Sequence, residues 1–266
     1  MKKIYVAGDM EGIAGNVRWD EVDPLKPEYL QFQKIWTDEA NLICNLLEED
    51  FDEIVYKDGH WFETNVFLSD FNEKVSLIRG DDGKGLTGLN KAYTGVILHG
   101  YHAAGGKHYP LAHSFTDQTI FYIKLNGILI GETTFSIFNA FKESVPVFYI
   151  SGDEEAVREA KLWIPNIFST ITKTLSESSY ICKSPKKVSK EMSKNLEEAL
   201  DTFKEMGEDF FNVILPKEFK VEIKYTSKVL ALKYLNYPGA ELLEDNIVLF
   251  KAKDLDEFIK IINLCI

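Results

Sequence analysis

The chain has 266 residues, 45% of them apolar and 13% aromatic, enough for one large domain or two modest ones with a substantial buried core. Its 42 acidic against 30 basic residues give a formal charge of -12, which repels phosphate backbones and anionic lipid; this argues against nucleic-acid and membrane-surface partners and favours a cation or metal. No apolar run reaches membrane-spanning length, and Asp9 interrupts the N-terminal one before a secretory signal could form, so a soluble, cytoplasmic protein is expected.

In chain order, "KIYVAGD" reads as a strand whose end runs into "GDMEGIAG", residues 8 to 15. Asp9 and Glu11 are two apart and would share a face if the backbone stays extended, so they need either water or something positive between them. A polar loop with Pro24 and Pro27 follows, and then an amphipathic helix from Tyr29 to Phe51, where Phe32, Ile35, Trp36, Ile43, Leu46 and Leu47 recur at three- and four-residue steps. "EIVYKDGH" returns to strand, with His60 at its end, and "VSLIRG" and "YTGVILHGYHA" are further strands. "FYIKLNGILIGE" reads as a hairpin turning at Asn126-Gly127, a pair suited to a tight type I′ turn. A helix is expected from Glu132 to Phe141, a buried strand at "VPVFYISGD", and a helix at "EEAVREAKLWI" with acids in its first turn.

Near Thr170 Ser, Thr and Lys become frequent, followed by the charged amphipathic helix "KKVSKEMSKNLEEALDTFKEM", the strand "FKVEIKYT" and a closing strand and helix, "NIVLFKAK" and "DLDEFIKIINLCI". The expected fold is therefore mixed α/β, a largely parallel central sheet flanked by helices over residues 1–165, with a smaller α+β lobe over 166–266. Cys44, Cys182 and Cys265 are odd in number, far apart and without C-x-x-C spacing, so they read as small buried hydrophobes and not as a disulfide framework or thiolate site. No phosphate-binding glycine loop is present.

Four of the five histidines (His99, His102, His108 and His113) fall in "HGYHAAGGKHYPLAHS", and the fifth is His60. Asp9, Glu11, His60, His102 and Glu132 each sit at or just past the carboxyl end of an expected strand, the edge where open α/β sheets assemble their sites. Three carboxylates meeting in one cleft would take up protons, whereas two divalent ions balance them together with one hydroxide. Mixed imidazole and carboxylate ligands suit zinc, with manganese or cobalt as alternatives, and Asp9, first to leave its strand and shortest in reach, is the natural bridge. Gly105-Gly106 would let the loop before His113 fold back over the cleft. His99 reads as a packed strand residue and His108 as an exposed loop residue, and core packing is the favoured role for Tyr56, Trp61 and Phe62.

Together "DMEG", "DGH", "GYHA" with "HS" eleven residues on, and "GE" at 131–132 resemble the M55 metallopeptidases, the D-aminopeptidases of the dipeptide-transport-associated type. The resemblance continues through "VPVFYISGDEEAVREAKLWIPN", "ICKSP", "YPGAE" and "FKAKD", nearly the whole chain. It implies two zinc ions on Asp9, Glu11, His60, His102 and Glu132 with Asp9 bridging, and a catalytic histidine, nucleophile or proton-transfer residue, at His113. It also implies removal of N-terminal residues from short peptides, D-alanine peptides among them, in a homo-oligomer of ring-stacked decamer form with sites facing an inner channel. The chain departs from the family pattern at Gly59, Ala112, Thr134 and Ser136, which leaves the preference for D over L residues open.

Two other readings stand beside this one. A magnesium-dependent phosphatase of the haloacid dehalogenase type also begins with a strand and a D-x-D-G motif, but here the second acid is Glu11 and the histidines have no use in that chemistry. The other is a non-catalytic metal- or peptide-binding protein.

Overall fold

In the computed structural model of the protein, residues 1–71, 73–80, 85–177 and 179–266 are described. Along the first half run β1 (Lys3–Gly8), α1 (Tyr29–Leu47), β2 (Glu53–Asp58), β3 (Val75–Ile78), β4 (Gly95–Tyr101), β5 (Ile120–Leu125), β6 (Ile128–Ile130) and α2 (Glu132–Lys142). There follow β7 (Val147–Gly152), α3 (Glu154–Trp163), β8 (Phe168–Ile171), β9 (Lys173–Ser176), β10 (Ser179–Cys182) and α4 (Pro185–Met206). The chain closes with β11 (Phe219–Tyr225), α5 (Lys228–Tyr234), β12 (Glu241–Glu244), β13 (Ile247–Ala252) and α6 (Leu255–Cys265).

Six strands form one parallel sheet in the order β3-β2-β1-β4-β7-β8. β1, β4 and β7 are apolar almost throughout and buried, as strands covered on both faces must be. The order reverses between β1 and β4: α1 carries the chain to β2 on one side, while α2 and α3 carry it through β7 and β8 on the other. Right-handed crossovers in opposite directions put α1 on one face of the sheet and α2 with α3 on the other, which leaves a crevice past the carboxyl ends of β1 and β4. Register sets what meets there: Gly8 lies opposite Asp58, the last residue of β2, and opposite His99, from which β4 runs two residues further to Tyr101 before His102.

The second sheet is antiparallel, in the order β12-β13-β11-β5-β6, and its α6 packs on α2 through Phe138 and Phe258. β5 and β6 meet in the expected tight hairpin, with Asn126 at φ 52° and Gly127 at φ 85°. The chain passes between the sheets more than once: β5 and β6 belong to the second, while β8 is the edge strand of the first and α4 packs on β8 and α1. The rise in Ser and Thr near Thr170 falls on β8, an edge strand whose polar groups are paired. Thr170 Oγ1 accepts from the Tyr149 hydroxyl at 2.7 Å and from Asn195 Nδ2 at 3.0 Å. The first helix ends at Leu47, four residues before Phe51, where the backbone turns into β2.

At the crevice the β1 loop crosses the end of β4 in direct contact. Gly12 N–H donates to Gly100 O at 2.7 Å, and a Cβ on Gly12 would lie 1.8 Å from Tyr101 O. Gly59 is similarly close to β1, where a Cβ would lie 2.6 Å from Gly8 O. Gly12→Ala must therefore push the loop off β4; the expected outcome is a loss of about 3 kcal/mol in urea unfolding, the upper range for an overpacked site, and no loss would show that the crossing is loose.

Candidate metal centre

The turn after β1 places Asp9 and Glu11, the end of β2 His60, the end of β4 His102, the loop that follows it His113, and the first turn of α2 Glu132. All six converge. His60 Nδ1 lies 3.0 Å from Glu11 Oε2 and 3.8 Å from Asp9 Oδ1; His102 Nε2 lies 3.3 Å from Asp9 Oδ2 and 3.5 Å from Glu132 Oε1. His113 Nε2 lies 3.9 Å from Glu11 Oε1 and 3.8 Å from Glu132 Oε1, and its ring stacks on His102 with centroids 4.2 Å apart. Two trios have ligand atoms within 4.8 Å of one another, namely Asp9, Glu11 and His60, and His102, His113 and Glu132.

The rings are oriented from outside the cluster. His60 Nε2 is 2.7 Å from Val22 O, His102 Nδ1 3.0 Å from Ala103 O, and His113 Nδ1 2.9 Å from Leu111 O. A carbonyl only accepts, so each of these nitrogens carries the proton, and in a neutral ring the other nitrogen turns its lone pair toward the carboxylates. Backbone carbonyls behind the rings are the usual support of ligating histidines. Asp9 Oδ2, Glu11 Oε2 and His102 Nε2 are buried and make no hydrogen bond. They lie 3.0–3.5 Å from ion-pair partners across the cluster. Burying such atoms without a partner is costly, and a divalent cation fits this donor set.

The electrostatics agree. Burial, reinforced by Glu11, pushes the Asp9 carboxyl well above the usual carboxylate range. Burial acts the same way on Glu11 and Glu132, but His60 holds Glu11 well below that range and His102 holds Glu132 down. Burial disfavours a charged His102, and Glu132 and Asp9 nonetheless raise it well above an ordinary histidine. His113 is lowered by burial and by His102. Three buried carboxylates require positive charge among them, which a metal ion would supply.

The residues that hold this geometry lie in distant elements, and sequence reasoning missed them. Lys173, fully buried on β9, donates from Nζ to Glu11 O at 2.5 Å, Asn16 O at 2.7 Å and Asn16 Oδ1 at 2.5 Å. Burial lowers its pKa to about 8 against the pull of Asp153, which leaves it protonated at neutral pH with an acceptor for each N–H. Asp153 caps α3 and takes the Ala103 N–H at 2.7 Å, fixing the residue after His102. Glu159 Oε1 accepts from Gly131 N, Thr134 N and Thr134 Oγ1, so α3 supplies the cap that Gly131 cannot and sets Glu132 in place. Asp58 takes the Asn65 and Val66 N–H groups and shapes the turn that presents His60. The one available signal was an acid closing each of two apolar strand runs, Asp58 and Asp153; Lys173 in its Ser- and Thr-rich stretch and Glu159 in its charged helix carry none.

His99 is buried between Tyr56 and Glu39, and His108 is exposed, as their surroundings in the sequence suggested. Trp61 and Phe62 are corrected: they are 44% and 57% exposed and line a cleft of about 480 Å³ with Trp19, His60 and His113. They close a turn on the water side of β2 and have no core to enter. Trp19, not singled out from the sequence, meets the His113 ring edge-on at 5.2 Å. Of the positions that depart from the family pattern, Gly59 lines the cleft, Ser136 lines the recess behind it, and Thr134 is buried on Glu159 and Trp163. Asp9 and Glu132 also border an inner recess of about 340 Å³.

The sequence profile of the M55 peptidases, described as D-aminopeptidase, matches residues 1–264. A D-aminopeptidase of Bacillus subtilis (strain 168) is 29% identical over 270 residues, covering 96% of this chain and 93% of that protein. Among solved structures, the Zn-dependent D-aminopeptidase DppA from Bacillus subtilis, a self-compartmentalizing protease, superposes with a TM-score of 0.85 at 27% identity, covering 99% of this chain and 96% of that one. The phosphatase alternative is thereby overturned, in keeping with three histidine rings turned into the carboxylate cluster.

Lys173→Met would strip three buried oxygens of their donor. The expected outcome is a loss of about 3–5 kcal/mol in urea unfolding, as for a broken buried charge, together with weaker zinc retention on dialysis; unchanged zinc retention would show that Glu11 does not depend on Lys173.

Proposed function

Because the chain belongs to the M55 family of D-aminopeptidases, and is therefore a peptidase of the hydrolase class, we propose that it cleaves the N-terminal bond of short peptides at the buried cluster, using two divalent ions. D-amino-acid peptides are among the substrates, and zinc is the native ion, with manganese or cobalt as substitutes. Asp9 carries this reading: its two oxygens face different histidines, Oδ1 toward His60 at 3.8 Å and Oδ2 toward His102 at 3.3 Å. Asp9, Glu11 and His60 would hold one ion, and His102 and Glu132 the other, with Asp9 shared between them.

When bound, such ions supply Lewis acidity, polarising the scissile carbonyl and making a water nucleophilic near neutral pH. The chain's own residues orient and move protons. His113, with its Nδ1 proton engaged by Leu111 O, presents an unprotonated Nε2 to the cleft. From there it can take a proton and deliver it to the leaving amine, or attack the carbonyl directly. A second reading makes His113 a ligand, because its Nε2 also groups with His102 and Glu132. Trp19, against His113, and the exposed Trp61 and Phe62 shield the bond under attack from bulk water.

The similar solved structure is of a self-compartmentalizing protease, which supports a homo-oligomer that encloses its sites, a ring-stacked decamer by family resemblance. The free thiols of Cys44, Cys182 and Cys265 accord with a reducing, cytoplasmic setting. No helix among the described residues is long and apolar enough to cross a membrane.

Metal analysis beside turnover of D- and L-alanyl peptides tests the reading. Zinc-loaded protein is expected to bind two ions per chain and cleave at least one enantiomer; two ions without any turnover would make it a binding protein. Asp9→Ala should lose both ions, and a full complement in that variant would refute the bridge. His113→Ala should keep both ions and lose about 10²–10⁴ in kcat, the range for a missing acid or base; loss of one ion instead would make His113 a ligand.

A further inference from the structure

The cleft has two halves that meet at Asp9, Glu132 and Gly59, and they differ in what walls them. The outer half, about 480 Å³, opens between Trp19 and Phe62, which are 41% and 57% exposed. The inner recess, about 340 Å³, is walled by Ala7, Leu86, Tyr101, Phe135 and Ser136, none of them more than 8% exposed. The reaction proposed above uses the border between the halves and gives the recess no part.

We propose that the inner recess takes the side chain of the substrate's N-terminal residue and selects a large apolar one, of leucine or phenylalanine size. This rests on the aminopeptidase reading and adds the class of residue removed. An aminopeptidase substrate ends after a single residue on one side of the scissile bond and continues on the other, so a walled recess suits the first side and an open cleft the second. Size then decides between side chains. A dry cavity of about 150 Å³ is enough to hold benzene, and the recess is well over that at about 340 Å³. An alanine methyl would leave most of the space to water, whereas a phenylalanine ring or a leucine would displace that water and bury its own apolar surface.

The polar groups of the recess do not oppose an apolar guest. The Tyr101 and Ser136 hydroxyls bond to each other at 2.8 Å. Lys57 Nζ lies 2.5 Å from Glu63 Oε1, and the two residues are 4% and 6% exposed, so a side chain packed beside them removes little water from their charges. Asp9 and Glu132, at the mouth, face His102 at 3.3 Å and 3.5 Å. Most of the remaining wall offers apolar contact, from Ala7 on β1, Tyr101 at the end of β4, Phe135 on α2 and Leu86 in the segment before β4. Ala7 is two residues before Asp9 on the same strand, and Phe135 is three residues after Glu132 on the same helix, so the elements that aim the cluster also set the recess wall.

The test compares X-glycine dipeptides on zinc-loaded protein, with alanine, leucine or phenylalanine as X in both D and L forms, and beside them alanyl-leucine and alanyl-phenylalanine. In the enantiomer it cleaves, the wild type is expected to favour leucyl- or phenylalanyl-glycine over alanyl-glycine by about 10- to 100-fold in kcat/KM, the range for burying such a side chain. Ser136→Leu and Leu86→Trp narrow the recess from different elements, and each should bring that preference close to unity with bound zinc retained; a variant that merely folds badly would lower all substrates together. A wild type that cleaves alanyl-glycine as well as the larger two, or that discriminates only at the second residue, overturns the proposal, and so does a ratio that neither variant moves. Calorimetric titration with alaninol and phenylalaninol, which have no bond to cleave, separates this result from the reading beneath it. If no dipeptide is cleaved yet phenylalaninol binds about 10-fold tighter than alaninol and loses that advantage in Ser136→Leu, the aminopeptidase reading fails and the pocket stands; equal binding of the two by the wild type overturns the pocket.

Discussion

Three carboxylates brought within a few ångströms of one another in a buried crevice are the constraint on which the rest of this molecule depends. Asp9, Glu11 and Glu132 repel one another, and burial multiplies the cost of each charge. The arrangement is stable only with positive charge among them, which divalent ions would supply in the proposed function. The three histidines serve the same end, since each has its outer nitrogen on a backbone carbonyl and its inner nitrogen on the cluster.

Holding such a cluster together requires anchors stronger than the repulsion. They come from outside the site: Lys173 grips the β1 loop, Asp153 the residue after His102, Glu159 the start of α2, and Asp58 the turn of His60. Each anchor is buried and charged, and each meets backbone groups that would otherwise lack partners. Two of them, Asp153 and Glu159, sit on or next to α3, which supplies none of the six residues of the cluster. The helix is in this sense part of the site. Its packing fixes both the His102 strand end and the Glu132 helix start, so two residues of the cluster from different elements share one support.

The topology explains why the crevice lies where it does. The strand order reverses between β1 and β4, so the chain leaves their ends in opposite directions and no crossover covers the gap. Glycine at position 12 lets the β1 loop cross the end of β4 in contact with its backbone, bringing Glu11 under His113. The second sheet adds the hairpin whose last strand, β6, feeds directly into α2 and its Glu132.

The main strands, the long helices, the hairpin at Asn126-Gly127 and the six converging side chains were legible in the sequence, because periodicity, turn chemistry and charge at strand ends are local properties of the chain. So was the order of the acidic and histidine motifs, which carries the family resemblance. The second sheet's recruitment of β5 and β6, the place of β8 as an edge strand, the exposure of Trp61 and Phe62, and the anchoring by Lys173 and Glu159 were decided only in three dimensions. Each depends on what a residue meets from a segment far away in sequence: Lys173 lies 162 residues from the Glu11 carbonyl it holds. The Ser, Thr and Lys side chains near Thr170 are met by Tyr149, Asn195 and the β1 loop, which satisfy those polar groups, and no pattern along the chain records that meeting.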